Sequence, residues 1–449
     1  MQLRDTSVAA SGAPGADPAV TVIIPTRDRR ETVGATLDAL GAQRLPLDRM
    51  EVLVVADGCI DGTAAMVRGY RAPYALRLVE LPPSGAAAAR NAGAAAARAP
   101  LLLFLDDDVT PEPALVAAHA RAHERGPGRV VMGYSRPATQ GPASYADAAW
   151  RDRREARFRE LGAPGHRFGY RDLLGGNMSV AATLFAAAGG FDESVGCRAD
   201  YELGARLIDA GVTFAFEPEA AGQHRGVGAP GRSAQRARVE GRGDVDIGTR
   251  HPALRLGLPL ADFEARVATL ERALRALAFH APRLGDLAAG GLARLGERAE
   301  RASTHRHWER LDGLVPGYWY WRGVAERIGG RPGLAAFLHA GGAALAGEWG
   351  GRALDVELQE GLPAAERAID AARPMGVRLR HAAMAVGEIS AVPGAERLRG
   401  AHLQPALAGS PLAWPLLMAR AFADAMGPDR PPLAATTSAI GRPPSFAAD

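Results

Sequence analysis

Three consecutive aspartates, Asp106, Asp107 and Asp108, stand directly behind the apolar run LLLFL. Carboxylates crowded at the end of a buried segment repel one another, and a hard divalent cation relieves that repulsion. Oxygen ligands of this kind suit Mn2+ or Mg2+, ions that also take phosphate oxygens. On an extended chain the first and third side chains point to the same side. Asp108 could therefore ligate the ion while Asp106 takes a ribose hydroxyl or an ion-bound water. The same residues could instead form a solvated acidic loop capping a helix that begins near Pro111. A further carboxylate, Asp57 in VVADGCIDGT, follows another apolar run. It could accept a hydrogen bond from a nucleobase N–H or a ribose hydroxyl, or it could serve the Asp-Gly turn. Asp61 reads as the cap of the helix behind it.

The elements needed to hold these groups are legible. Residues 20–25 (VTVIIP), 51–56 (EVLVVA), 76–81 and 101–105 are short apolar runs of strand character. Between them, residues 29–40, 61–70 and 85–99 have helical spacing or helix-forming composition. Strands that are apolar throughout and alternate with helices indicate a parallel sheet covered on both faces. Such sheets bind ligands at the carboxyl ends of their strands. There the loops carry Thr26 and Arg27, Asp57, and Asp106 to Asp108, so the polar chemistry converges on one edge. Further elements follow: a strand from Val130, a charged helix at 150–161, a Gly175-Gly176 turn, a helix at 200–210 and a strand at 212–216 ending near His224.

Composition narrows the class of molecule. The 53 basic and 50 acidic residues of this 449-residue chain nearly cancel, which does not suggest a nucleic-acid partner. All the basic residues are arginine, so single arginines carry little functional weight. Cys59 and Cys197 lack C-x-x-C spacing and suit a reducing, cytoplasmic setting. No signal-peptide pattern and no uninterrupted apolar span is present, so a soluble or at most membrane-peripheral protein is expected.

The segments VTVIIPTRDR, VVADGCIDGT, GAAAARNAGAAAARAPLLLFLDDD, GGNMSV, GGFDE and ADYELGARLIDAG occur in this order. Together they resemble the family 2 glycosyltransferases, inverting enzymes of GT-A fold, over residues 20–250. The resemblance implies a Rossmann-like, mostly parallel sheet with helices on both faces, and transfer of a sugar from a nucleotide-sugar donor, typically a UDP-sugar. The acceptor would be a hydroxyl of a glycan, a lipid-linked glycan or a small molecule, as in polysaccharide biosynthesis. It implies that Pro25, Thr26 and Arg27 line the nucleoside pocket and that Asp57 contacts the base. Arg90 would lie near base and diphosphate, with Asn177 near the diphosphate or acceptor. Asp106 and Asp108 look like the DXD pair beside Asp107, and His224 like the histidine that completes the metal site. Asp200 matches the general base. Two departures stand out: Ala56 where many members carry a first Asp, and Ala199 where a Glu often precedes the base.

Residues 1–19 and 428–449 are expected to be disordered tails. Residues 251–427 are expected to be mainly helical with a possible small α/β unit. Within that region Phe263, Val267, Leu270, Leu274 and Leu277 recur by four and three, consistent with one amphipathic helix or a coiled-coil seam able to form a homodimer. Tyr318 to Trp321 (YWYW) is taken as packed core in preference to a sugar or membrane platform. Arg225, Arg232, Arg236, Arg238 and Arg242 could form a diphosphate lid or simply a solvated helix face. A nucleotidyltransferase would need a Gly-rich phosphate loop after the first strand, and a dehydrogenase would need G-x-G-x-x-G there. PTRDRRET provides neither. The alternative left standing is a catalytically inactive nucleotide-binding scaffold.

Overall fold

The computed structural model describes residues 4–7, 17–126, 128–138, 145–225, 230–301, 311, 313–349, 353–381 and 384–408. The chain opens with β1 (Arg4–Ser7), β2 (Val20–Thr26), α1 (Arg30–Leu40), β3 (Met50–Asp57), α2 (Thr63–Gly69), β4 (Ala75–Leu81), α3 (Ala86–Ala96) and β5 (Leu101–Leu105). It continues through β6 (Val109–Pro111), α4 (Leu115–Glu124), β7 (Arg129–Pro137), α5 (Tyr145–Leu161), β8 (Asn177–Ala181), α6 (Ala182–Ala187), α7 (Ala199–Asp209) and β9 (Thr213–His224).

These strands form one sheet in the order β1-β4-β3-β2-β5-β8-β7-β9-β6. Strands β4, β3, β2 and β5 are mutually parallel, as the alternation of strands and helices predicts. Beyond β5 the sheet becomes mixed: β8 runs antiparallel to both β5 and β7, while β7 and β9 are parallel. The parallel strands bury side chains on both faces. Val22, Ile24, Val52, Val54, Leu76 and Leu78 pack with Val33, Leu37 and Leu40 of α1 and Val67 of α2. Ile23, Val55, Val79 and Phe104 turn the other way and join Ala87 and Ala89 of α3. This two-sided burial explains why the strand sequences read as continuous apolar runs.

The amino-terminal tail is a correction in part. Residues 4–7 are not an isolated tail, since β1 pairs antiparallel with β4 from Arg4↔Glu80 to Ser7↔Arg77. Without β1, β4 would be an open edge with a row of unpaired backbone groups. Residues 428–449 lie outside the described residues.

A helical region follows: α8 (Pro230–Arg250), α9 (Thr269–His280), α10 (Pro282–Arg301), α11 (Leu314–Ile328) and α12 (Arg331–Trp349). The single helix expected from Phe263 to Leu277 is two pieces, a 3-10 segment at Pro259–Glu264 and α9. Phe263 still meets Phe279 and Trp321, each at 5.1 Å between ring centroids. The apolar spacing thus reported burial rather than continuity of one helix. In the aromatic cluster, Tyr318 and Trp321 are buried, in line with the core reading. None of the described helices is long and apolar enough to cross a membrane.

The chain then builds β10 (Ala353–Glu357), α13 (Leu362–Ala372), β11 (Gly376–His381), β12 (Met384–Ile389) and α14 (Leu403–Ala408). The three strands form a separate small sheet with its own core of Val356, Ile369, Val377 and Leu379. This unit docks through Arg167, whose guanidinium donates to the carbonyls of Glu396, Ser390 and Met375.

Candidate active site

The carboxyl ends of β2, β3 and β5 and the start of α3 enclose a cleft of about 440 Å³. Pro25, Thr26, Arg27, Asp57, Arg90, Asp106, Asp107 and Asp108 all line it, so eight of the sequence-selected residues share one cavity. Arg29 lines it as well. That arginine sits inside the first motif, but nothing in its type or spacing distinguishes it from its arginine neighbours.

The three aspartates divide by direction. Asp107 turns inward and is only 7% exposed. Its Oδ2 accepts from Thr26 Oγ1 at 2.7 Å and its Oδ1 from Arg29 Nη1 at 3.0 Å. Its backbone carbonyl accepts from Thr36 Oγ1 of α1 at 3.1 Å. Burial pushes the Asp107 carboxyl up to about 6, against the opposing pull of Arg29. Asp106 and Asp108 flank it. Asp106 Oδ1 accepts from Arg90 Nη2 at 2.6 Å, and Asp108 Oδ2 from Arg29 Nη1 at 2.7 Å. Asp107 therefore ties the loop to β2 and α1, and its two neighbours face the cleft.

Asp57 lines the cleft and also anchors its loop. Its two carboxylate oxygens accept the backbone N–H groups of Ser84 at 2.5 Å and Gly85 at 3.0 Å. With Arg27 Nη1 at 4.0 Å, this carboxylate fixes the loop that opens α3. Arg90 is then placed one helical turn later.

Strand β6 carries the chain from Asp108 into register with β9, pairing Val109 with His224, and Arg225 N–H donates to Asp108 O at 2.8 Å. His224 Nε2 thereby comes to 3.5 Å from Asp108 Oδ1. That oxygen is buried and makes no hydrogen bond among the described residues. Burial, aided by the charge of Arg154, holds the His224 imidazole below its ordinary value and so keeps its lone pair available. By type Asp106, Asp108 and His224 are donors that suit Mn2+ or Mg2+; Asp108 and His224 already approach each other, while the ligand atoms of all three do not lie within 4.8 Å of one another.

Trp150 of α5 packs beside His224 with ring centroids 5.5 Å apart. Arg154, one turn further along, lies over Trp150 and Phe158 and donates from Nε to Ser135 O at 3.0 Å. Burial lowers its basicity, while Asp106 and Asp108 pull the other way. Sequence reasoning missed Arg154: it belongs to an arginine-rich helix with no motif around it.

Asp200 lies in the first turn of α7, with Oδ1 accepting the N–H of Tyr201 at 2.9 Å. The Gly175-Gly176 strap joins it to the aspartate loop. Gly176 O accepts from Asp106 N–H at 2.9 Å, and a Cβ on Gly176 would collide with Asp106 Oδ2. Gly175 packs beside Asp200 and Arg90. Burial raises the Asp200 carboxyl, with Arg90 the main opposing charge. Glu202 is no substitute base. It is 3% exposed, and its carboxylate is taken by Arg206 at 2.9 Å and His251 at 3.2 Å.

Asn177 does not face the cleft. Its Nδ2 donates to Ala220 O at 2.9 Å, so its Oδ1 must accept from His119 Nε2, also 2.9 Å away. His119 Nδ1 then accepts from the Ser179 hydroxyl at 2.8 Å, and Ser179 Oγ accepts from His123 Nε2 at 2.8 Å. Burial brings both histidines down to about 4, which keeps them neutral. The asparagine after the double glycine is thus the end of an internal polar chain that pins β8 beneath the site.

The lid arginines mostly have other employment. Arg238 and Arg242 both bind Glu326 of α11, and Arg236 donates to Glu240 at 2.9 Å. Residues 226–229 and the side chain of Arg232 lie outside the described residues. Burial raises both thiols, Cys197 to about 11, so neither is poised as a nucleophile.

Comparison with known proteins bears on this arrangement. A validoxylamine A glucosyltransferase from Streptomyces hygroscopicus subsp. jinggangensis is 32% identical over 237 residues, covering 47% of this chain and 56% of that protein. One from Streptomyces hygroscopicus subsp. limoneus is 31% identical over 237 residues, covering 47% and 52%. The chain thus spans little more than half the length of these relatives. Among solved structures, the mannosyltransferase PcManGT from Pyrobaculum calidifontis, in complex with GDP-Man and Mn2+, is 20% identical with a TM-score of 0.41, covering 75% of this chain and 83% of that one. The model of the family described as "Glycosyl transferase family 2" matches residues 21–185. That matched stretch takes in the aspartate loop and the double-glycine strap, so this part of the chain is similar to that family's domain.

Proposed function

We propose that this protein is an inverting glycosyltransferase that moves a sugar, in our reading a hexose from a UDP-sugar, to an acceptor hydroxyl. The observation that carries the reading is the meeting of two carboxylate sets across one glycine strap. Asp106 and Asp108 line the cleft at the carboxyl edge of the parallel strands, and the same double-glycine strap packs against Asp106 and against Asp200 of α7.

The donor's nucleoside lies against Pro25, Thr26 and Arg27, and its diphosphate reaches Arg29 and Arg90, whose guanidinium groups suit phosphate. Asp200 takes the proton of the acceptor hydroxyl as that oxygen attacks the anomeric carbon. The bond from that carbon to the diphosphate breaks, the electron pair leaves with the nucleoside diphosphate, and the single displacement inverts the centre. A raised Asp200 carboxyl makes its carboxylate a stronger base. Asp106, Asp108 and His224 would hold Mn2+ or Mg2+, which when bound supplies positive charge to the departing diphosphate. Arg29, Arg90 and Arg154 add fixed charge around the same place. The glucosyl transfer named for the two Streptomyces relatives supports a hexose as the group moved.

A thermal-shift screen of UDP, GDP and dTDP with and without Mn2+, on wild type and Asp108→Ala, tests the reading. A ligand that binds only native protein raises the melting temperature by mass action. One nucleotide should stabilise the wild type in a Mn2+-dependent way and fail on the variant. No stabilisation by any nucleotide would count against the enzyme and against a nucleotide-binding scaffold alike, and nucleotide binding without transfer would put the scaffold ahead.

A further inference from the structure

Among the contacts between the helical region and the base side is a buried ion pair. Arg198 immediately precedes α7 and lies two residues before Asp200. Its guanidinium stacks 4.7 Å from the Tyr201 ring centroid, and its Nε donates to Asp244 Oδ1 of α8 at 3.1 Å. Asp244 is 2% exposed, and its other oxygen accepts from the hydroxyl of Tyr320 of α11 at 2.8 Å. This approach depends on a close helix crossing. A Cβ on Gly241 of α8 would strike Tyr320 O, and one on Gly323 of α11 would strike Arg238 O. The Asp200 carboxyl thus feels the charge of two guanidinium groups, Arg90 held by Asp106 and Arg198 held by Asp244.

Resting on the assignment of Asp200 as base, we propose that Asp244 and Tyr320 are positioning residues for catalysis: through Arg198 they fix the first turn of α7 and so the direction of the Asp200 carboxylate. The YWYW segment thereby gains a role beyond core packing. A buried carboxylate that holds a guanidinium at one oxygen and a phenol at the other leaves that guanidinium little freedom. Neither residue lines the donor cleft, so their loss should act on turnover and not on donor binding.

The test is steady-state kinetics of the full chain with UDP-glucose, a donor of the class proposed above, on Asp244→Asn, Tyr320→Phe, the double variant and Asp200→Asn. Tyr320→Phe keeps the ring and removes one hydrogen bond to a charged group, so kcat should fall about tenfold. Asp244→Asn should cost more, and the double variant no more than Asp244→Asn, because both act through Arg198. Donor KM should stay within about twofold of wild type for all three. Wild-type kcat in Tyr320→Phe and Asp244→Asn while Asp200→Asn is inactive would overturn the positioning role alone. So would a fall in kcat matched by a fall in folded fraction, or a rise in donor KM. Full activity of Asp200→Asn would instead overturn the base assignment on which the proposal stands. If Asp244→Asn does not fold, Tyr320→Phe decides by itself.

Discussion

The two walls of the cleft are built differently. On the donor wall, Thr26, Arg27, Asp57 and the aspartate loop each follow the carboxyl end of a neighbouring parallel strand. Their placement follows from chain order, since each strand delivers its next residues to the same edge. On the other side, Asp200 comes from α7 and the Arg198 before it is braced by α8 and α11, while His224 and Arg154 reach the aspartate loop from the far end of β9 and from α5. Nothing local sets those positions. They depend on antiparallel returns and helix crossings over long sequence separations. The difference teaches that the polar cluster of the cleft is written in strand order, and the setting of Asp200 in tertiary packing.

The sharpest way to break the donor wall alone is Asp108→Ala. Turnover should fall about a thousandfold or more, the scale of losing the main charge stabilisation of the leaving group, with Mn2+-dependent nucleotide binding lost as well. Donor turnover and calorimetric nucleotide binding check this together. Gly176→Ala attacks the seam between the walls. The added Cβ must displace Asp106, and a misplacement on the ångström scale costs about a hundredfold in kcat. Unchanged kinetics would mean that the strap is not the joint.

Smaller effects separate structure from binding. Asn177→Ala should lower stability by about 1–3 kcal/mol, because His119 Nε2–H loses its acceptor in the interior. Donor KM should not change, and a large rise would restore Asn177 to the cleft. The mildest expectation is a pH effect on stability. His119 and His123 are held at about 4 in the fold, against about 6.5 when unfolded. Between those values the unfolded chain binds more protons, so stability is fully present above about pH 6.5 and falls as pH drops towards 4. Melting curves across that window should show the fall, and His119→Gln should flatten it.

Sequence reasoning recovered the parallel half of the sheet because apolar strand runs and helices alternate there without interruption. It also recovered the cleft, because acidic residues directly behind strands have few bland explanations. It did not foresee the anchoring contacts of Asp57 and Asn177, whose types suit ligand contact and backbone anchoring equally. Only the positions of Ser84, Gly85, Ala220 and His119 decide between the two uses. It passed over Arg29 and Arg154 because arginine is the chain's only basic side chain. Asp244 and Tyr320 carry no motif, and their meeting depends on two glycines on different helices.

The central claim, that one wall binds the donor and the other activates the acceptor, is tested most directly by comparing donor binding with turnover in Asp200→Asn. Calorimetry should give a donor affinity like that of wild type, while transfer to acceptor falls about a thousandfold, the scale of losing a general base. Near-wild-type transfer, or a donor affinity lost along with transfer, would contradict the division between the two walls.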